Sequence, residues 1–174
     1  MENTDQTLFI LCGEAFAGKS TMSKILSSSQ NALIVGRDEI YFATENILAL
    51  HNTPEEDDSN FWNALWPIVI QGVKNQLLLG KSVVVDDNCF YFAQRNELRV
   101  LAKNLGVKSI LIYLDIPSEV LRKRKDENKI TMIRHDIPSA ILEKDTKPFE
   151  RPTDEENPFI YKQEIALEDF MKEF

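Results

Sequence analysis

Thr7-Leu8-Phe9-Ile10-Leu11-Cys12-Gly13-Glu14-Ala15-Phe16-Ala17-Gly18-Lys19-Ser20-Thr21 decides how the rest of the chain is read. The run from Thr7 to Cys12 is apolar, β-prone and of strand length, and Gly13 to Thr21 fits the phosphate-binding pattern G-x-x-x-x-G-K-[ST]. A strand delivers the chain into a loop whose successive N–H groups point inward and cradle phosphate oxygens. Gly13 and Gly18 let the backbone turn and approach a ligand closely. A helix starting near Lys19 aims its unpaired N–H groups and positive dipole end at the same phosphates. Lys19 adds a mobile point charge for the outer phosphates and Ser20 a hydroxyl ligand for Mg²⁺. Glu14, Ala15, Phe16, Ala17 and Thr21 complete the loop, and Phe16 is unusually bulky for such a position.

Outward from this stretch, composition sets the bounds. A chain of 174 residues, 43% apolar and 28% charged, reads as one globular domain over residues 1–174. The net charge of −8 opposes a long nucleic-acid backbone, although a local basic patch stays open. Cys12 and Cys89 end apolar runs and read as buried thiols, not a disulfide. The absence of a signal peptide, a membrane-length apolar stretch or a lipidation motif reads as a soluble, cytoplasmic chain without membrane contact.

Strands and helices alternate along the sequence. Residues 1–6 read as a disordered lead, and a helix from about Lys19 is expected to stop in Ser27-Ser28-Ser29. Ala32 to Val35 suits a second buried strand, ending at Gly36-Arg37-Asp38-Glu39. Asp38 or Thr44 can cap short helices, and Thr53 to Asp58 reads as a solvated turn or helix start. Phe61, Leu65, Ile68, Val69, Val73 and Leu77 recur at helical spacing, with Pro67 expected to kink or restart the helix. Trp62 and Trp66 read as core or lid packing. Ser82 to Asp87 is the third strand, Gln94 to Leu105 a helix, and Ser109 to Leu114 the fourth strand. Ser118-Glu119 reads as the cap of a helix that carries Arg122, Lys123, Arg124 and Lys125. Pro138 to Lys144 reads as a further helix, Phe159 to Ile165 as a fifth strand and Leu167 to Phe174 as a terminal amphipathic helix. The class is α/β with a parallel, doubly covered sheet.

The carboxyl ends of parallel strands are where ligands bind in such sheets. Asp86 and Asp87 close the Val-rich third strand, where a carboxylate can hold Mg²⁺ or cap the next helix. Asp38 lies at the same rim, placed either to take a proton from an attacking hydroxyl or to cap. The basic helix and Arg134 can close over phosphates or form a solvated face. A GTPase is disfavoured: no glycine stands third after either aspartate, and Asn128-Lys129-Ile130-Thr131 lacks the carboxylate that reads guanine.

The loop, Arg37-Asp38, Val85-Asp86-Asp87-Asn88 with Arg95, and Leu114-Asp115-Ile116-Pro117 leading to Leu121 and Arg124 resemble the kinase domain of polynucleotide kinases. The wider group includes Zeta-toxin-like and chloramphenicol-phosphotransferase-like P-loop enzymes. The resemblance covers about residues 7–160. It implies the P-loop NTPase fold, a five-stranded parallel sheet of order 2-3-1-4-5 with a helical lid at about residues 122–136. It also implies Asp38 as general base, Asp87 near the metal, Arg124 and Arg134 as lid arginines, and Phe149 to Pro152, with Arg151, against adenine. Tyr41 stands where polynucleotide kinases place a phosphate-holding arginine, and their Asp-Thr-Asn reads Asp87-Asn88-Cys89 here. The acceptor-side candidates are Asp38, Tyr41, Arg95 and Arg134. The reading is an ATP- and Mg²⁺-dependent kinase of a small-molecule hydroxyl. Its alternatives are a polynucleotide or nucleoside 5′-hydroxyl kinase and a non-catalytic nucleotide-binding regulatory module.

Overall fold

The structure, a computed structural model, describes residues 6–48, 59–131 and 149–174. Five parallel strands, β1 (Thr7–Cys12), β2 (Ala32–Val35), β3 (Ser82–Val85), β4 (Lys108–Leu114) and β5 (Phe159–Tyr161), form one sheet in the order β2-β3-β1-β4-β5. This is the implied order, with β1 at the centre. Leu8 is in register with Val83 and Ser109, and Ile10 with Val85 and Leu111.

Because side chains alternate across a strand, β1 feeds two cores. Leu8, Ile10 and Cys12 face Val69, Val73 and Leu77 of α3 (Ser59–Leu78) and Leu98 and Ala102 of α4 (Phe92–Asn104). Phe9 and Leu11 face Met22 and Leu26 of α1 (Lys19–Gln30), Leu121 of α5 (Ser118–Thr131) and Phe170 of the short terminal helix Leu167–Phe170. Burial on both faces explains why β1, β3 and β4 read as continuous apolar runs. Among the described residues no helix is long and apolar enough to cross a membrane.

Several local expectations are corrected. Gln6 is buried and its amide donates to Leu77 O (2.6 Å) and Lys81 O (2.8 Å), so it belongs to the fold and not to a loose lead. α1 runs through the three serines to Gln30 and ends at left-handed Asn31, since packing of Met22 and Leu26 outweighs the weak helix preference of serine. α3 continues across Pro67 without restarting. Proline leaves the Asn63 carbonyl without its helical partner, but both residues are exposed and water can serve instead. Ser118 lies inside α5, whose first turn is closed by bonds from Val120 and Leu121 to Pro117 O, so it is not the cap. β3 stops at Val85, which leaves both aspartates in the following loop, and β5 stops at Tyr161. α2 (Arg37–Leu48) resolves the ambiguity after β2, and Asp38 sits in its first turn. Thr53 to Asp58 and Pro138 to Lys144 lie outside the described residues.

Arg95 is the largest correction. Its side chain is fully buried in α4 and pairs with Glu156 through Nε–Oε2 (2.8 Å) and Nη2–Oε1 (2.9 Å). Its Nη1 donates to Cys89 O (2.9 Å) and Phe90 O (3.3 Å). A guanidinium so enclosed has no face for a substrate; it ties the loop after β3 to the segment before β5. Cys12 and Cys89 are free, buried thiols. Burial pushes Cys12 up to about 12 and Cys89 well above its ordinary value, which leaves both unreactive.

Arg95→Met leaves the buried Glu156 carboxylate with only the Thr153 N–H (3.1 Å) and the more distant Arg99 (3.7 Å), and is expected to cost about 3–5 kcal/mol of unfolding free energy in urea titrations. A loss under about 1 kcal/mol would contradict the assignment. Burial raises the Glu156 carboxyl, but the Arg95 bonds and the Thr153 N–H outweigh this and hold it below its ordinary value. Its stabilising contribution is therefore present above the ordinary glutamate range and is lost as pH falls through the depressed folded-state value. Glu156→Gln should lack that part of the acid destabilisation.

Candidate active site

The chain leaves β1 into the loop at Gly13, where a Cβ would press on the Leu114 carbonyl at 3.1 Å. Phe16 adopts a left-handed backbone (φ 66°), a conformation that costs a bulky residue roughly 1–3 kcal/mol. Lys19 opens α1 and is nearly buried; its Nζ donates to Gly13 O (2.9 Å) and Glu14 O (2.8 Å). Two of its three protons are thus held by the loop itself. Burial lowers the Lys19 pKa, and Asp86 and then Asp87 oppose that effect.

The two aspartates after β3 part company. Asp86 Oδ2 accepts from Ser23 Oγ at 2.8 Å, on α1 one turn beyond Ser20. Burial raises the Asp86 carboxyl, while Ser23, Lys19 and Ser20 pull it down, so it faces the loop and its hydroxyls. Asp87 is buried and instead receives Arg37, through Nε–Oδ2 (2.7 Å) and Nη2–Oδ1, and also the Asn88 N–H (2.7 Å). Asp87, expected near the metal, is thus occupied by a bidentate guanidinium, whereas Asp86 is turned toward the loop. Arg37 also lies over the Trp66 ring (5.9 Å to its centroid), whose Nε1 donates to Glu97 Oε2 (2.8 Å). Ser23 and the Arg37–Asp87 pair were not singled out from sequence. Ser23 carries a signal in its i+3 spacing from Ser20; the pairing of Arg37 carries none before the fold is known.

Asp38 stands on the same rim, open to solvent on one side. Desolvation raises its pKa, followed by the charges of Asp87 and Asp86, against Arg37 and Lys19. Tyr41 follows on α2, half-buried. Gly36 makes this proximity possible, because a Cβ there would collide with the Asp86 carbonyl; Asp86 N donates to Val35 O at 3.0 Å.

On the other side of the loop lies a cavity of about 480 Å³. Phe16, Thr21, Arg124, Asn128, Tyr161 and Leu167 are among its walls. Arg124 Nη1 donates to Phe16 O (3.0 Å) and Ala17 O (3.2 Å), which fixes α5 to the loop. Arg122 and Lys123 point to solvent, and Lys123 lies 3.9 Å from Glu127. The expected lid is thus helical as far as Thr131; its remainder, including Arg134, lies outside the described residues.

The segment expected against adenine begins at Phe149. Phe149 stacks on Phe90 (5.5 Å) and Tyr113 (5.8 Å) with the core on the α3–α4 face, and no residue from Phe149 to Pro152 lines the large cavity. Arg151 is exposed, 3.9 Å from Asp115, beside a smaller polar cavity of about 290 Å³ that includes Glu14. Phe61 and Trp62 side chains are outside what is described.

A family profile described as AAA domain matches residues 8–152. The L-seryl-tRNA(Sec) kinase of Methanococcus maripaludis is 28% identical over 153 residues, 83% of this chain and 53% of that protein. The chain thus spans about half the length of the curated relative it matches. Among solved structures, the Mycobacterium tuberculosis APS kinase, in complex with AMPPNP and APS, aligns at a TM-score of 0.69 with 13% identity, covering 98% of this chain and 95% of that one. A gluconokinase from Sinorhizobium meliloti aligns at 0.60 with 18% identity, over 98% and 90%. At such identities the likeness is one of fold. With the profile covering most of the sequence, and the P-loop and sheet order in place, the chain belongs to the AAA domain family.

Proposed function

We propose that the chain transfers the γ-phosphoryl group of ATP to a hydroxyl of a small molecule. The observation that carries this reading is Asp38: a solvent-open carboxylate of raised pKa on the rim shared by Lys19 and Asp86. A binding module needs the loop but no such base. The loop N–H groups and Lys19 hold the phosphates, as the dipole end of α1 favours. The large cavity beside Phe16 and Arg124 lies within the roughly 300–1,000 Å³ span of small-molecule sites and takes the nucleoside. The acceptor then approaches from the Asp38 side. Asp38 accepts the hydroxyl proton as the oxygen attacks the γ-phosphorus and the bond to the β-phosphate oxygen breaks, so ADP leaves.

Among the described residues no three His, Cys, Asp or Glu side chains are grouped to hold a metal. The all-oxygen pair of Ser20 hydroxyl and Asp86 carboxylate suits Mg²⁺, which takes few protein ligands and completes its shell with phosphates and water. When bound, Mg²⁺ supplies charge neutralisation at the phosphate oxygens. Ser23 orients Asp86 for that role, and Arg37 keeps Asp87 from competing for it.

A second reading, a hydroxyl carried on RNA, is favoured by the likeness to the L-seryl-tRNA(Sec) kinase and opposed by the net charge of −8. Labelled ATP with a panel of hydroxyl compounds, seryl-tRNA and oligonucleotides separates the two. Label on RNA, with affinity falling steeply as salt rises, would replace the small-molecule reading.

Asp38→Asn keeps the shape but cannot accept a proton, so turnover is expected to fall about 10²–10⁴-fold with ATP affinity little changed. Turnover within about threefold of the parent would remove the base, since the helix-turn position alone is served nearly as well by Asn. Lys19→Met removes a charge-assisted contact and should weaken ATP binding by roughly 1.5–3 kcal/mol, measured by calorimetry. Undiminished binding in a folded variant would refute the loop assignment.

A further inference from the structure

Phe16 carries more than the loop needs. The inward-pointing N–H groups of a phosphate nest require a left-handed residue, and glycine supplies that conformation without strain. This chain holds a phenylalanine there at φ 66°. The half-buried side chain rests on the core beneath the loop, and Phe16 is one of the residues that wall the cavity of about 480 Å³. The Arg124 guanidinium, bonded to the Phe16 and Ala17 carbonyls, lines the same space, and Tyr161 and Leu167 line it from the β5 side. An aromatic residue and an arginine thus border one cavity beside the phosphate loop.

We infer that Phe16 is the nucleobase-contacting, affinity-determining residue of the loop, its ring forming a stacking wall for the base while its own backbone helps hold the phosphates. The inference rests on the nucleotide reading above and deepens it. Stacking on a π-face is tolerant of which base is present, so Phe16 sets how tightly a nucleoside is held and not which purine is chosen. Phosphate recognition and base recognition then meet in one residue, through its N–H and its ring. The competing role is core filling alone.

The test measures Kd for ATP and for inorganic tripolyphosphate, with Mg²⁺, on parent, Phe16→Gly, Phe16→Leu and Phe16→Tyr, alongside melting temperatures. Base stacking predicts that Phe16→Gly and Phe16→Leu lose about 10-fold or more in ATP affinity. Tripolyphosphate affinity should stay within about twofold, and Phe16→Tyr should keep the parent's ATP affinity. Phe16→Leu retains apolar bulk, so the comparison survives if the glycine variant folds poorly. Equal losses for ATP and tripolyphosphate, or ATP affinity unchanged in Phe16→Leu, would overturn the inference while leaving nucleotide binding intact. A parent that binds neither ligand would overturn the nucleotide reading itself.

Discussion

Lys19 is an ammonium with little water around it, and it keeps its place because Asp86 and Asp87 lie at the end of the neighbouring strand. Burial alone would favour loss of its proton. The opposing carboxylates lie in the loop that directly follows β3, the strand that pairs with β1. The buried lysine charge is therefore stabilised by the sheet order itself. A strand order that separated β1 from β3 would leave the lysine without its counter-charges and Asp86 without the lysine, while Asp87 would keep Arg37.

Three arginines show how one side-chain type is assigned different work by position. Arg95 is sealed inside with Glu156, where it satisfies carbonyls of the β3–α4 loop. Arg37 holds Asp87 and rests on Trp66, so it links the loop after β3 to three helices. Arg124 grips the outside of the phosphate loop. Removing any of them leaves carbonyls or a carboxylate unsatisfied, and the carboxylates left behind by Arg95 and Arg37, Glu156 and Asp87, are both buried.

Much of this was legible beforehand. The Thr7–Thr21 stretch specified a strand, loop and helix in local sequence, and the Val-rich and Ile-rich runs announced buried parallel strands. What stayed hidden depended on partners distant in the chain. Arg95 looks the same in sequence whether it meets Glu156, sixty-one residues on, or a substrate. Asp86 and Asp87 are adjacent and chemically identical, and only the positions of Ser23 and Arg37 distinguish them. Phe149 could reach either face until Phe90 and Tyr113 claimed its ring. The serines of α1 misled because their local preference is weak beside the packing of Met22 and Leu26.

Gly36 brings β2 against the Asp86 carbonyl with no room for even a methyl group. Backbone there abuts backbone, which acts as a hard stop where side-chain packing would yield. The gauge between Asp38, just after Gly36, and Asp86, at the far side of that contact, is consequently machined into the main chain. Side chains on α2 and α3 can vary in size while the spacing between the two carboxylate positions stays constant.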